Sequence, residues 1–213
     1  MFKINNLLTK TTLSVIGAIF WIAIFYKLTR EVIEKETLNF DINLAKYIYN
    51  LRTPFLNGFF SFITEFGGSY LIIFTIIITA ILLSKKYYTQ AIYFVLPIGV
   101  SFVLNLIFKN LIARPRPYIS QLLVEKDFSF PSGHSSGATI FYLSLIYLVF
   151  SLTNNKAIRY TAVFISISLI VLILFSRVYL GVHYPTDVMG GFIEGVAIFL
   201  VFVGGRQAVK NIN

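Results

Sequence analysis

The sequence predicts an all-α integral membrane bundle of six transmembrane helices, with an amphipathic interfacial helix between spans one and two. Three observations predict it. The 213 residues are 57% hydrophobic and 13% charged, with mean hydropathy +0.78, too apolar for a water-soluble domain of this length. Six apolar stretches approach the roughly 20 residues that carry an α-helix across hydrocarbon. The charges between those stretches are sorted by sign rather than scattered.

Residues 1–10 carry Lys3 and Lys10, and an apolar run over 11–26 follows, with Trp21 near its end. A secretory leader starts the same way, but no small-residue cleavage pattern follows, so an uncleaved first span is expected. Residues 28–57 are the most charged region, holding Arg30, Glu31, Glu34, Lys35, Glu36, Asp41, Lys46 and Arg52. Leu44, Ile48 and Leu51 recur there at helical spacing, which predicts an amphipathic helix along the interface, ending near Pro54. The second span covers 59–83, interrupted by Glu65 and the Gly67-Gly68 pair, and closes on Lys85 and Lys86. The third covers 91–108. Residues 109–131 are punctuated by proline and too polar to lie in lipid. The remaining spans fall at 134–152, 160–175 and 188–203, leaving a single domain over residues 1–213 with no repeat or low-complexity segment.

Six spans put both termini on one side. The segments on that side contain Lys3, Lys10, Lys85, Lys86, Lys156, Arg159, Arg206 and Lys210 without an Asp or Glu, so the termini are expected to be cytoplasmic. The ends of spans three and five and the starts of four and six then share the extracytoplasmic face. A net charge of +9 would also suit nucleic acid, but no Arg/Lys-rich run or stacking platform accompanies it, and the membrane accounts for the basic excess. The absence of cysteine rules out disulfides and thiolate metal sites. Nothing in the pattern fixes an oligomeric state.

Three clusters gather on the expected outer face. Lys109 to Pro117 ends span three with Lys109, Arg114 and Arg116, the last held between two prolines that limit where its guanidinium points. Taken alone, these cations also suit ordinary snorkelling to headgroups. In Phe130 to Ser136, Pro131 and Ser132 read as a helix start, Gly133 permits close backbone approach, and His134 sits at the lip. Free N–H groups at such a helix start seat phosphate, although a merely capped helix fits as well. In Ser176 to Asp187, Pro185 starts a helix with His183 just ahead of it and Asp187 in its first turn. The carboxylate can then orient the imidazole and leave its other nitrogen free to attack. A polar membrane-edge loop would use the same residues. Jointly, both histidines of the chain and a set of cations converge on one face, an arrangement suited to a tetrahedral dianion.

These motifs carry a resemblance. Lys-x6-Arg-Pro (Lys109, Arg116, Pro117), Pro-Ser-Gly-His (Pro131 to His134) and Ser-Arg-x5-His-x3-Asp (Ser176, Arg177, His183, Asp187) together resemble the type 2 phosphatidic acid phosphatase family, without departure at any motif position. The resemblance implies a membrane lipid phosphatase in which His183 attacks phosphorus, Asp187 orients it, and His134 protonates the leaving oxygen and then activates water. Lys109, Arg116, Arg177, Ser132 and Gly133 would bind the phosphate. The scheme calls for no metal and no other cofactor. Undecaprenyl pyrophosphate, phosphatidylglycerophosphate and phosphatidic acid are the expected lipid partners. A phosphotransferase or a lipid-phosphate transporter would use the same pocket. Glu194, about two turns beyond Asp187, is either functional, or neutral or paired within the bundle. Glu65 is expected at the interface.

Overall fold

The computed structural model describes residues 2–118 and 120–212, with side chains described between residues 11 and 208. Among the described residues there are eight α-helices, one 3₁₀ turn and no strand, and six helical segments are long and apolar enough to cross a membrane.

Helix α1 (Phe2–Ile33) outruns the apolar stretch that predicts it. Lys27 with Glu31 and Arg30 with Glu34 sit at i,i+4 spacing, 3.7 and 2.5 Å apart, and carry the helix past the hydrocarbon. The expected interfacial helix is α2 (Leu38–Tyr49), shorter than the sequence suggests because α1 takes its first residues. Its inward stripe is Asp41, Ala45 and Ile48, so a carboxylate leads an otherwise apolar face. Thr53 then caps α3 (Pro54–Thr64), accepting a hydrogen bond from Leu56 N, with Pro54 at the first helical position.

The second span is broken. A 3₁₀ turn over Glu65–Gly67 and an irregular Gly68 separate α3 from α4 (Ser69–Ser84). The break serves the site: a Cβ on Gly68 would lie 2.7 Å from the His134 imidazole, so only glycine lets that ring settle against the chain. Helix α5 (Tyr88–Ile112) carries Lys109 in its last turn and stops at Ala113, whose φ of 49° is left-handed. The described residues between 113 and 132 form no helix or strand. Ser132 caps α6 (Gly133–Leu152), Asn155 caps α7 (Lys156–Tyr179), and Pro185 opens α8 (Pro185–Ile212). Between α7 and α8, Gly181 turns the chain at φ 78°.

Helices α1 and α8 run antiparallel: Leu200 meets Gly17 and Phe192 packs edge-on to Trp21, while Phe130, just ahead of α6, stacks on Phe25. The described ends of both terminal helices therefore lie at the end of the bundle opposite His183. One core gathers Phe94, Phe141 and Ile173 from α5, α6 and α7, and a second fastens α2 and α3 to α7 through Ala45, Phe60 and Tyr179. Between helices that face lipid, cohesion comes from close van der Waals packing more than from hydrophobic burial. The α6–α8 seam shows this, since a Cβ on Gly191 would lie 2.4 Å from Ser132 O. Ile72, Ile76, Phe102 and Phe164 stay exposed on the outside, as a hydrocarbon-facing belt requires.

Candidate active site

The end of α5, the start of α6 and the α7–α8 turn meet at one end of the bundle. Lys109, Gly133, His134 and His183 all line a cavity of about 490 Å³, so both histidines open into the same space. The sequence motifs are thus brought together.

His183 is fully buried, and its two ring nitrogens face different partners. Nε2 lies 3.1 Å from Arg116 Nη1, while Nδ1 lies 3.4 Å from Ser129 Oγ and 3.6 Å from Asp187 Oδ2. That last separation is an electrostatic contact, longer than a hydrogen bond. Asp187 spends its oxygens elsewhere: Oδ2 accepts from Ser129 Oγ at 2.5 Å and from Tyr184 N at 2.8 Å, and Oδ1 accepts from Arg114 Nη1 at 2.5 Å. Ser129 therefore stands between the imidazole and the carboxylate that sequence reasoning paired directly. Burial holds the His183 imidazole well below its ordinary pKa, and Arg177, Arg116 and Lys109 push it the same way, which keeps the ring neutral.

Arg114 belongs to a second layer. Its Nη2 donates to Asp41 Oδ2 at 2.7 Å and its Nη1 also reaches Thr186 Oγ1 at 2.9 Å. Asp41, with no exposed surface, further accepts from Thr186 N and Thr186 Oγ1 at 2.9 and 2.7 Å. Burial opposes the Arg114 charge, but Asp187 and Asp41 outweigh it and raise its pKa.

The cations expected to hold phosphate are met by acids from the 113–132 segment. Glu125 bridges Arg177 and Arg116, the latter at 2.8 Å, and Asp127 bridges Arg116 and Lys109. Burial disfavours the charge on both acids, yet the cations win and hold each carboxyl at about 2, Arg177 acting most on Glu125 and Lys109 most on Asp127. Arg177 is buried; its Nη1 donates to Thr64 Oγ1 at 2.7 Å, and its Nε has no hydrogen-bond partner. Ser132 is spent on capping, its Oγ accepting from Ser135 N and Ser135 Oγ, while its own N–H donates to Asp187 O.

The site also draws on Ser129, Arg114, Asp41, Thr64, Glu125 and Asp127, to none of which the sequence motifs assign a role. Asp41 had a signal, a carboxylate in register with apolar Ala45 and Ile48, and Arg114 lay inside the first motif. The two loop acids had none. Glu194 Oε2 accepts from Asn105 Nδ2 at 2.9 Å while its Oε1 is buried without a hydrogen-bond partner, and Glu65 opens the 3₁₀ turn.

A family model described as the PAP2 superfamily matches residues 69–210. The chain belongs to the PAP2 superfamily. Its relatives are named phosphatases and diphosphatases, which makes it a phosphatase, and with its six apolar spans it is a multi-pass membrane protein. It is 34% identical to phosphatidylglycerophosphatase B of Bacillus subtilis (strain 168) over 175 residues, 80% of this chain and 85% of that protein. It is 30% identical to an undecaprenyl-diphosphatase of Sulfolobus acidocaldarius, covering 84% of this chain and 85% of the relative. Its fold superposes on the crystal structure of the first transmembrane PAP2 type phosphatidylglycerolphosphate phosphatase from Bacillus subtilis with a TM-score of 0.85, at 31% identity, over 92% of this chain and 99% of that one. The expected six-span bundle with an interfacial helix is the architecture observed, the second span being divided between α3 and α4.

Proposed function

We propose that this PAP2 protein hydrolyses a phosphate or pyrophosphate ester of a membrane lipid through a phosphohistidine formed on His183. One observation carries the reading: a buried imidazole presents Nε2 beside Arg116 in a cavity shared with His134 and Lys109. Nε2 attacks phosphorus, the bond from phosphorus to the lipid oxygen breaks, and His134 gives that oxygen a proton. His134 then takes a proton from water, which attacks the phosphohistidine and releases phosphate. Lys109, Arg116 and Arg177, with backbone N–H groups at Gly133, hold the non-bridging oxygens as negative charge builds. Ser132 keeps that helix start in place. Asp187, through Ser129 and its own charge, supports the cationic ring of the intermediate.

The cavity also supports a lipid substrate. From the charged end it runs between α4 and α5 along Leu71, Ile72, Ile98, Phe102 and Leu106, an apolar path open toward the bilayer. Among candidate lipids, phosphatidylglycerophosphate ranks first on the relatives' names, ahead of undecaprenyl pyrophosphate and phosphatidic acid. The test is phosphate release by purified protein from a panel of these three in nanodiscs. Release is expected to persist in excess EDTA, because the positive charge comes from side chains, and to be blocked by vanadate, which imitates five-coordinate phosphorus. A strict magnesium requirement would count against the scheme.

The basic bias of the segments at the termini's side supports an extracytoplasmic site. The chain contains no cysteine, so one introduced at Tyr118, highly exposed near the site, is an unambiguous reporter. It is expected to react with an impermeant maleimide in intact cells. Labelling only after lysis would reverse the orientation.

A further inference from the structure

We infer that Glu125 and Asp127 are an internal counter-ion lid that selects phosphomonoester and pyrophosphate groups over the phosphodiester headgroups of bulk lipids. The inference rests on the reading of Lys109, Arg116 and Arg177 as the phosphate-binding cations. Those three side chains do not wait with their charge unopposed. Glu125 takes Arg177 and Arg116, and Asp127 takes Arg116 and Lys109, while Arg116 Nε also donates to Asp127 O at 2.8 Å. The cations are almost wholly buried, with side-chain exposures of 8%, 6% and 1%, whereas Asp127 is 55% exposed and Glu125 24% exposed. The basic groups are thus built into the bundle and the acids lean in from the rim.

The backbone around the acids has the form of a strap. Leu122 N donates to Leu180 O at 2.9 Å and Ser129 N donates to Arg114 O at 2.8 Å, fastening the segment at each end. Between these ties lie residues 123–128, without helix or strand, with Val124 highly exposed and Phe128 exposed on the outer surface. Moving the strap breaks the acid–cation pairs and little regular structure. Arg177 Nε is also buried and unpartnered, so the two carboxylates do not exhaust what the cations offer.

Charge balance then decides which ligands enter. A phosphomonoester dianion or a pyrophosphate brings two or more negative charges and can replace both carboxylates. A phosphodiester brings one, so displacing the lid would leave two of the three buried cations uncompensated where the acids leave one, which a low-dielectric site penalises strongly. The bilayer surrounding the cavity is made largely of phosphodiester lipids, which without such a filter would compete at far higher local concentration than the substrate.

The experiment compares wild type with Glu125→Gln/Asp127→Asn and with the more exposed Asp127→Asn alone, in detergent micelles. Dioctanoyl phosphatidic acid is the substrate, and dioleoyl phosphatidylmethanol, a monoanionic phosphodiester, is the competitor, with vanadate as a second probe. Wild type is expected to resist the phosphodiester, and the double variant to be inhibited by it with a Ki at least tenfold lower, Asp127→Asn falling between. KM and the vanadate Ki should fall in parallel. An unchanged phosphodiester Ki, or a raised KM without gain in vanadate affinity, overturns the lid. Retained turnover in His183→Ala would instead overturn the site reading on which it rests, so the two failures are distinguishable.

Discussion

Replacing His183 with alanine is expected to lower kcat by at least about 1,000-fold, with lipid binding retained. The scale follows from what removal of a covalent nucleophile costs when the surrounding charge-stabilising groups remain. Lys109, Arg116 and Arg177 are held by Glu125, Asp127 and Thr64, so they keep their places when the imidazole is removed. His183 is buried against Ser129 and Arg116, so His183→Gln, which retains volume and a polar end, serves as the folding control. The companion variant, His134→Ala, separates the two steps. With para-nitrophenyl phosphate, whose leaving group needs no proton, the first step should survive while water attack slows. An acid-labile, base-stable phosphoryl group should then accumulate on the protein. Turnover by His183→Ala above about one-tenth of wild type would sink the phosphohistidine scheme, as would a labelled protein whose phosphate resists acid.

The parts of this site that could be read in the sequence are those fixed by local chemistry. Proline and Ser132 mark the start of α6, so His134 falls at its lip in both sequence and structure. Pro185 does the same for α8 and sets His183 and Asp187 four residues apart across a helix start. Gly67-Gly68 announced an interruption, and the structure makes it the break that admits His134. What stayed hidden depends on pairing between distant residues. Asp41 meets Thr186 across 145 positions, and Arg177 meets Glu125 across 52, from a segment with no periodicity to give its side chains a direction. Ser129 was hidden for another reason. Four-residue spacing implied that Asp187 reaches His183 directly, but the carboxylate turns to Tyr184 N and Arg114, leaving room for a hydroxyl from another loop.

Arg114→Leu is expected to destabilise the protein by about 3–5 kcal/mol, the usual cost of removing one member from a buried ionic network. Arg114 is 9% exposed and Asp41 and Asp187 are 0% exposed, so its loss strands two carboxylates away from water. It also removes the cation stacked 4.4 Å from the Tyr184 ring. The fall should be visible as a lower melting temperature in detergent. Asp41→Asn probes the same network by charge alone. With Asp41 neutral, Arg114 is balanced only by Asp187, and its pull competes with the support that Asp187 gives to the His183 ring. The expected result is a kcat about 10- to 100-fold lower with KM unchanged, since no group touching phosphate has been altered. A merely structural role for Asp41 would lower stability and leave kcat per folded molecule intact, which would refute the linkage. Arg114→Leu combined with Asp41→Leu should be more stable than Arg114→Leu alone, because one stranded charge is gone. Strict additivity of the two substitutions would show that Asp41 and Arg114 are not coupled. Through this pair, interfacial helix α2 is tied to Asp187, the carboxylate beside His183.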